Sequence, residues 1–387
     1  MMRRAWLPGA IAGSRMARLF AAAALAGLLG ACSSAPRQPD PTPLGPVPPI
    51  LHVDTVWSTQ VGSVPSDFAP AVAAGRIVVA SKDGQVLCLD SSSGHAVWRA
   101  QVAGGISAAA GSDGTFSAVV DSENRVVSLG PQGQVLWRYQ LPTSVITPPA
   151  VFGGIIVVQG ADQRLWAFDA ANGRKRWDDE FHAPALLLQK GSGMLLDDAR
   201  VVLGDATGHL RAVRLSDGVQ VWESTLARPR GVTEVERVVS ITGAPSMAKG
   251  LVCARGYQSD LGCASLSDGH VLWTAKADGY TAVSQNGDEV VGTQSDGVVQ
   301  AYAAADGKAL WHNDQLKYRK LSAPLLVGHT VAVGDLQGYV SFLDATDGQI
   351  IGRVSTDGSA IDSPPVLAGN TLVVVTSKGG VYGFLPR

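Results

Sequence analysis

From residue 69 onward, short apolar runs alternate with polar turns at a steady interval, which is the pattern of consecutive β-strands. In the first unit, strands over 76–81, 85–90 and 95–100 are separated by turns at Asp83-Gly84 and Ser92-Ser93-Gly94. A shorter strand over 69–73 precedes them. The pattern predicts four antiparallel strands in roughly forty residues, the size of one blade of a β-propeller.

The unit recurs along the whole chain, marked by a glycine four residues before a tryptophan. Six segments keep the tryptophan, and a seventh has lost it and carries Gly348 and Gly352 instead. A tryptophan on each outer strand can lie across the gap to the next blade and bury a large apolar surface there. The six outer strands are predicted to carry Trp98, Trp137, Trp177, Trp222, Trp273 and Trp311.

The two ends of the repeat array predict how the ring closes. The last hairpin, over 372–385, runs out of chain before an outer strand, whereas residues 53–60 hold Trp57 and precede the first unit. An N-terminal strand that completes the last blade would leave no exposed sheet edge there. We therefore predict an all-β, eight-bladed propeller over residues 51–387, with four-stranded antiparallel blades.

The N-terminal region predicts export. Residues 1–31 combine four arginines with an apolar run over 19–29 that is too short to cross a bilayer, as in a signal peptide. Leu29-Gly30-Ala31-Cys32 resembles the lipobox of bacterial lipoproteins, which implies lipidation of Cys32 and, with Ser33 next, an outer-membrane anchor. An ordinary signal peptide ending near a cysteine is the alternative. The start codon, at Met1, Met2 or Met16, stays open.

Residues 32–50 are predicted to be a tether, because seven prolines among residues 33–49 favour extended chain that cannot form a core. Loss of residues 1–31 removes four arginines and moves the formal charge from −2 to −6. A mildly acidic surface argues against a nucleic-acid partner.

Three cysteines remain in the predicted propeller. Cys88 lies in an apolar strand and is interpreted as a small buried hydrophobe. Cys253 and Cys263 flank a predicted hairpin turn, so they could face each other across adjacent strands and form a disulfide in an oxidising compartment. A shift of one residue would turn them to opposite faces, so both outcomes stay open.

The repeat, typified by Phe168-Asp169-Ala170-Ala171-Asn172-Gly173-Arg174-Lys175-Arg176-Trp177, resembles that of pyrroloquinoline-quinone (PQQ) propellers over residues 51–387. Two families share it, quinoprotein dehydrogenases and the outer-membrane protein assembly factor BamB family. The lipobox, the chain length and the run over 231–237 resemble the BamB family. That resemblance implies a non-catalytic scaffold lipoprotein of the β-barrel assembly machinery, which helps outer-membrane proteins to fold and insert.

Two neighbouring connections are longer than the repeat requires. Successive tryptophan positions are 45 and 51 residues apart around Trp222, against 38 to 41 elsewhere. The extra length enters blades 4 and 5 on one side of the ring and combines apolar with charged residues, as protein-binding surfaces do. Leu186 and Leu188 share a strand face, although they could instead be core residues of the inner strand of blade 4.

The BamB resemblance implies that these loops bind the periplasmic domains of the barrel-forming subunit BamA. It matches the family's leucines with Leu186 and Leu188. The family's arginine falls on Gln189, beside Lys190, and its two aspartates fall on Ser240 and Thr242, so its charges do not transfer. Other charges, on Lys190, Glu234, Glu236 or Arg237, are predicted to replace them. Contact with unfolded outer-membrane proteins through a strand edge stays open.

An enzyme is the alternative from another class: a PQQ-dependent dehydrogenase, or else a sugar- or other ligand-binding propeller. The sequence has no adjacent cysteine pair, no histidines at metal-ligand spacing and no nucleophile or phosphate-binding motif. Asp178-Asp179-Glu180 follows an outer strand and is interpreted as a solvated edge. We predict no catalytic residue, no metal and no cofactor.

Overall fold

The computed structural model describes residues 39–48, 50–65, 68–181, 192–197, 199–229 and 238–387. Within these ranges the chain forms 32 strands in eight four-stranded antiparallel sheets, and no helix is found. None of the described segments is therefore a helix long and apolar enough to cross a membrane. The predicted eight-bladed, all-β propeller is confirmed.

The strands follow the chain from blade to blade. The first strand and blades 1 to 4 comprise β1 Val53–Gln60, β2 Ala71–Ala73, β3 Arg76–Ala80, β4 Gln85–Asp90, β5 Ala96–Gln101, β6 Ile106–Ser112, β7 Ser117–Asp121, β8 Arg125–Leu129, β9 Val135–Gln140, β10 Ala150–Phe152, β11 Ile155–Gln159, β12 Arg164–Asp169, β13 Lys175–Glu180, β14 Met194–Leu196, β15 Arg200–Gly204, β16 His209–Arg214 and β17 Gln220–Thr225. Blades 5 to 8 add β18 Ser246–Ala248, β19 Leu251–Arg255, β20 Asp260–Ser265, β21 Val271–Lys276, β22 Ser284–Gln285, β23 Glu289–Thr293, β24 Val299–Ala303, β25 Ala309–Asn313, β26 Leu325–Val327, β27 Thr330–Gly334, β28 Tyr339–Asp344, β29 Ile350–Ser355, β30 Val366–Ala368, β31 Thr371–Val375 and β32 Gly380–Pro386.

The middle strands of each blade are buried on both faces, because every sheet is covered by its two neighbours. In blade 1, for example, the adjacent residues Val86 and Leu87 on β4 point to opposite faces of the sheet, and neither has solvent-exposed surface. This packing explains why these strands are continuous apolar runs, whereas the outer strand β5 alternates between exposed and buried residues. The core is thus a chain of apolar clusters at the blade junctions.

The N-terminal strand closes the ring as predicted. In blade 8 the strand order is β1-β32-β31-β30, and β1 pairs with β32 from Val53↔Pro386 to Gln60↔Gly380. Trp57 of β1 then lies over the turn of blade 1, where its indole N–H donates a hydrogen bond to the carbonyl of Ser91 at 3.2 Å. Closure therefore uses the same tryptophan contact as the other junctions.

The ring of each of these tryptophans packs directly against the backbone of a turn glycine. A Cβ atom on Gly94 would lie 2.5 Å from the Trp57 ring, and Gly269 stands in the same relation to Trp222. The glycine and the tryptophan that recur four residues apart in the sequence therefore do not contact each other. Each glycine contacts the tryptophan of the preceding blade.

The missing tryptophan at Gly352 has a physical explanation in ring closure. The outer strand of blade 7 would direct its tryptophan to the turn between the third and fourth strands of blade 8, where the chain has its two ends. Leu51 occupies this place: its N–H donates to the carbonyl of Ile351 at 2.9 Å. A Cβ on Gly352 would lie 2.8 Å from the Leu51 carbonyl oxygen.

The compact body begins at Pro41 rather than at Leu51, where the sequence analysis placed the end of the tether. Leu44 and Val47 pack against the apolar cluster between blades 6 and 7. Arg353 donates a hydrogen bond to the carbonyl of Gly45 at 3.0 Å. Proline-rich composition predicts extended chain, and extended chain can lie on a folded surface as well as in solvent. We call residues 41–48 the N-terminal strap.

Candidate functional site

The two overlong connections leave the same side of the ring, the side that carries the turns between second and third strands. They join β13 to β14 and β17 to β18. Their tips, residues 182–191 and 230–237, lie outside the described residues, as does Cys32. The predicted partner-binding residues therefore remain predictions: Leu186, Leu188, Gln189, Lys190, Glu234, Glu236 and Arg237.

The bases of these two connections contact each other. A Cβ on Gly193 would lie 2.6 Å from the Cβ of Ala244, so the chain entering blade 4 contacts the chain entering blade 5. Ser192 donates its hydroxyl to the carbonyl of Gly204 at 2.9 Å, and the N–H of Ile241 donates to the carbonyl of Asp205 at 2.9 Å. The bases of both connections are thus hydrogen-bonded to the turn of blade 4, and we call residues 192–193, 204–205, 211 and 240–244 the loop platform.

Ser240 and Thr242, the positions matched with the family's aspartates, are part of this platform. Both side chains are buried. The carbonyl of Ser240 accepts a hydrogen bond from Tyr257, and the N–H of Thr242 donates to the carbonyl of Arg255. Neither side chain therefore lies at the described surface, and the structure places no charge at these two positions.

A buried ion pair lies in the loop platform and was not predicted from the sequence. Arg211 on β16 donates from Nε and Nη2 to the Asp205 carboxylate at 3.0 and 2.9 Å. Its Nη1 lies 2.9 Å from a carboxylate oxygen of Glu223 on β17. Nε and Nη2 both reach the same oxygen of Asp205, Oδ2, so the guanidinium joins the turn of blade 4 to its outer strand through charge-assisted hydrogen bonds, which are stronger than those between neutral groups.

Arg211 also reaches the first overlong connection. Its guanidinium carbon lies 4.5 Å from the centroid of the Phe181 ring, within cation–π range. Phe181 is the last described residue before the loop over 182–191. The base of that loop is therefore fixed to blade 4 by an aromatic ring stacked on a paired arginine.

The protonation of this cluster follows from its contacts. Burial opposes ionisation of Asp205, but hydrogen bonds from His209 and Thr207 outweigh it and lower its pKa to about 2. The hydrogen bond to Asp205 raises the pKa of His209, against the opposing effect of burial. Asp205 is therefore a carboxylate at neutral pH.

A second buried arginine lies between blades 5 and 6. Arg255 has no exposed surface, and its Nη1 donates to the carbonyl of Thr293 across the junction. Its Nε and Nη2 have no hydrogen-bond partner among the described residues. Burial lowers the pKa of Arg255 to about 10. An arginine at the end of an otherwise apolar strand was the available sequence signal.

Cys253 and Cys263 lie in the same blade as Arg255 and pair directly across β19 and β20. Their sulfur atoms are joined in the structure, with the Cα atoms 4.1 Å apart. Cys88 is free and buried. The disulfide ties together the two middle strands of blade 5, whose inner strand receives the second overlong connection.

The described ranges contain no group of three or more histidine, cysteine, aspartate or glutamate side chains placed to hold a metal ion. Asp178 pairs with Arg164 and with Lys175, the latter at 2.6 Å. These hydrogen bonds, from Lys175 first and then Arg164, lower its pKa despite partial burial. The acidic run over 178–180 therefore begins with a carboxylate already neutralised by its neighbours.

Comparison with known proteins points to one family. The family model described as outer membrane protein assembly factor BamB matches residues 54–113, 97–313 and 295–385. Proteins named outer membrane protein assembly factor BamB from Burkholderia pseudomallei and Bordetella pertussis are 40% and 36% identical to the chain. The alignments cover 96% and 88% of this chain and 99% and 89% of those proteins. The crystal structure of BamB from Moraxella catarrhalis superposes with a TM-score of 0.78 at 24% identity, covering 86% of this chain and all of that one.

Proposed function

Because the chain belongs to the outer-membrane protein assembly factor BamB family, we propose that it is a non-catalytic scaffold lipoprotein of the β-barrel assembly machinery. Its role in the assembly of outer-membrane proteins follows from the family itself. The finer proposal is that it binds the periplasmic domains of BamA through the two overlong loops, and that lipid on Cys32 anchors it to the periplasmic face of the outer membrane.

The observation that carries the partner site is the loop platform. Two connections that interrupt a regular repeat have adjacent, mutually contacting bases, and Arg211 holds the base of the first through Phe181. Binding sites are commonly built on connections whose ends are held by the scaffold, because loop ends that are already ordered cost less entropy on binding. We propose Leu186 and Leu188 as apolar anchors, with Gln189, Lys190, Glu234, Glu236 and Arg237 as the polar rim.

The partner site can be tested by affinity isolation from solubilised outer membranes. Leu186→Asp should reduce recovery of the barrel-forming subunit about tenfold or more, because a charge would have to be desolvated in an apolar contact. Leu136→Asp is the matched control, since Leu136 is an exposed leucine on the outer strand of blade 2. Equal recovery with both variants would reject these loops as the BamA site. Failure of the unaltered protein to recover the subunit would reject the partner itself.

The enzyme alternative has a direct test. A ligand that binds the native state raises its stability by mass action, so a quinoprotein should melt at a higher temperature with PQQ and Ca²⁺. A scaffold that binds neither should keep its absorbance spectrum and melting temperature unchanged. A coloured complex with a raised melting temperature would replace the scaffold proposal with a quinoprotein.

A further inference from the structure

The connection from blade 6 to blade 7 presents an exposed tyrosine between two lysines. Tyr318 is 40% exposed, and Lys317 and Lys320 flank it. Tyr318 and Lys320 have φ angles of 59° and 48°, which are costly for residues with a Cβ atom. The fold holds them there: Tyr318 donates its N–H to the carbonyl of Asp296 at 2.7 Å, and Leu336 donates to the carbonyl of Arg319 at 3.0 Å.

Arg319 points inward while its neighbours point outward. It is 2% exposed and donates from Nε to the Asp335 carboxylate at 2.8 Å and from Nη2 to Gln337 Oε1 at 2.6 Å. This buried pair fixes the direction of the flanking side chains. Lys317 Nζ lies 3.9 Å from a carboxylate oxygen of Asp296, and no described carboxylate lies within 4 Å of Lys320 Nζ.

The N-terminal strap begins at the same connection. The N–H of Thr42 donates to the carbonyl of Lys317 at 3.0 Å, and Arg319 Nη1 donates to the carbonyl of Thr42 at 2.9 Å. Only nine residue steps separate Cys32 from Pro41, where the compact body begins. Fully extended, they span at most about 30 Å. Docking of the strap therefore shortens the tether and determines which part of the propeller lies at its end.

We propose that residues 317–320, with Lys317, Tyr318 and Lys320 as contacts, form the surface that the propeller turns toward the membrane. The inference rests on the proposed lipidation of Cys32. The two ammonium groups pair with phosphates of phospholipid headgroups, and the tyrosine ring lies at the interface, where an aromatic body with a polar end is favoured. The membrane is thus contacted by a patch two blades from the connection that enters blade 5 and three from the one that enters blade 4.

The test places an environment-sensitive fluorophore beside the patch in the full-length lipidated protein. Gln315→Cys is exposed and leaves the patch intact, and Cys88 is buried and does not compete for label. Val219→Cys, at a 51% exposed position in blade 4, is the matched control. In vesicles of phosphatidylethanolamine and phosphatidylglycerol that carry nitroxide-labelled lipid, quenching at 315 should exceed quenching at 219 at least threefold.

A second arm tests the chemistry of the patch. Lys317→Glu with Lys320→Glu, in the Gln315→Cys protein, should bring quenching down to the level at 219 while the anchor keeps the protein on the vesicles. Equal quenching at 315 and 219 in protein whose mass shows the acyl chains would overturn the patch alone, as would quenching unaltered by the two glutamates. Protein without acyl mass that fails to float with vesicles would overturn the anchor and this surface together.

Discussion

The junction between blades 4 and 5 and the junction between blades 7 and 8 depart from the repeat in opposite ways. The first keeps its tryptophan, and the Trp222 indole N–H donates to the carbonyl of Leu266 at 3.0 Å. Its connection from β17 to β18 is longer than the repeat requires. The second loses its tryptophan to Gly352 and fills the space with Leu51. One irregularity adds material to a complete blade contact, whereas the other replaces the contact.

The difference separates two reasons for breaking a repeat. At the closing junction the chain ends remove the turn on which a tryptophan would lie, so the exception serves the fold. Between blades 4 and 5 the packing is regular, so the extra length has no structural cause and points to function.

Trp222→Ala should lower the free energy of unfolding by about 3–5 kcal/mol, because it empties a buried contact between two blades. Trp222 is 6% exposed and lies over Gly269. Urea unfolding followed by circular dichroism measures the loss. A loss below about 1 kcal/mol would mean that the regular packing of this junction does not depend on its tryptophan.

Removal of the blade 5 disulfide should cost about 2–3 kcal/mol, the chain-entropy value for a short closed loop. Cys253 and Cys263 are ten residues apart. The double variant Cys253→Ser with Cys263→Ser should show this loss in chemical denaturation, and reducing agent should lower the stability of the unaltered protein but not of the variant. An intact mass with three free thiols, those of Cys88, Cys253 and Cys263, in protein from an oxidising compartment would contradict the bridge.

Asp205→Asn should cost about 2 kcal/mol at pH 7, since it removes the charge that pairs with Arg211. The pKa of Asp205 is about 4 in the unfolded chain and about 2 in the folded protein. The stability that the ionised Asp205 contributes is therefore complete above about pH 4 and is lost as the pH falls through about 2. The difference between the variant and the unaltered protein should therefore shrink in acid. Asp314→Asn, an exposed position, is the control, and unfolding at pH 7, 5 and 3 is the measurement.

Leu51→Ala should cost about 1 kcal/mol, less than the tryptophan, because Leu51 is half-buried. It should also increase amide exchange at 350–352 where Leu51 pairs with β29. Val56→Ala, at an exposed site on β1, should change neither. An equal effect of both variants would show that Leu51 does not substitute for the missing tryptophan.

The blades could be predicted from the sequence, whereas the partners of the buried charged side chains could not. Trp57 and the alternation of apolar and polar residues around it predicted ring closure, because hydrophobic periodicity is a local pattern that can be read directly from the sequence. Arg211 and Asp205 are six residues apart with no pattern that marks them as a pair, and Arg255 pairs with a carbonyl of the next blade. Such partners depend on the stacking of sheets, which no local pattern contains.

The site divides in the same way. The spacing between tryptophans located both overlong connections, since insertion length is visible in sequence. The sequence does not show that Gly193 contacts Ala244 or that residues 41–48 dock on the propeller. Each of these contacts joins segments that are not equivalent positions of the repeat. The tether was predicted from its prolines, and the same prolines are compatible with a docked strap.

Pairing of β1 with β32 brings together residues 333 positions apart, from Val53 to Pro386. Until the last strand has been made, the first strand has no partner, and a chain that stops early keeps an open ring with unpaired backbone at both edges. Truncated chains would therefore be prone to proteolysis and aggregation. Pairing of the first strand with the last thus makes closure of the sheet edges depend on the full length of the chain.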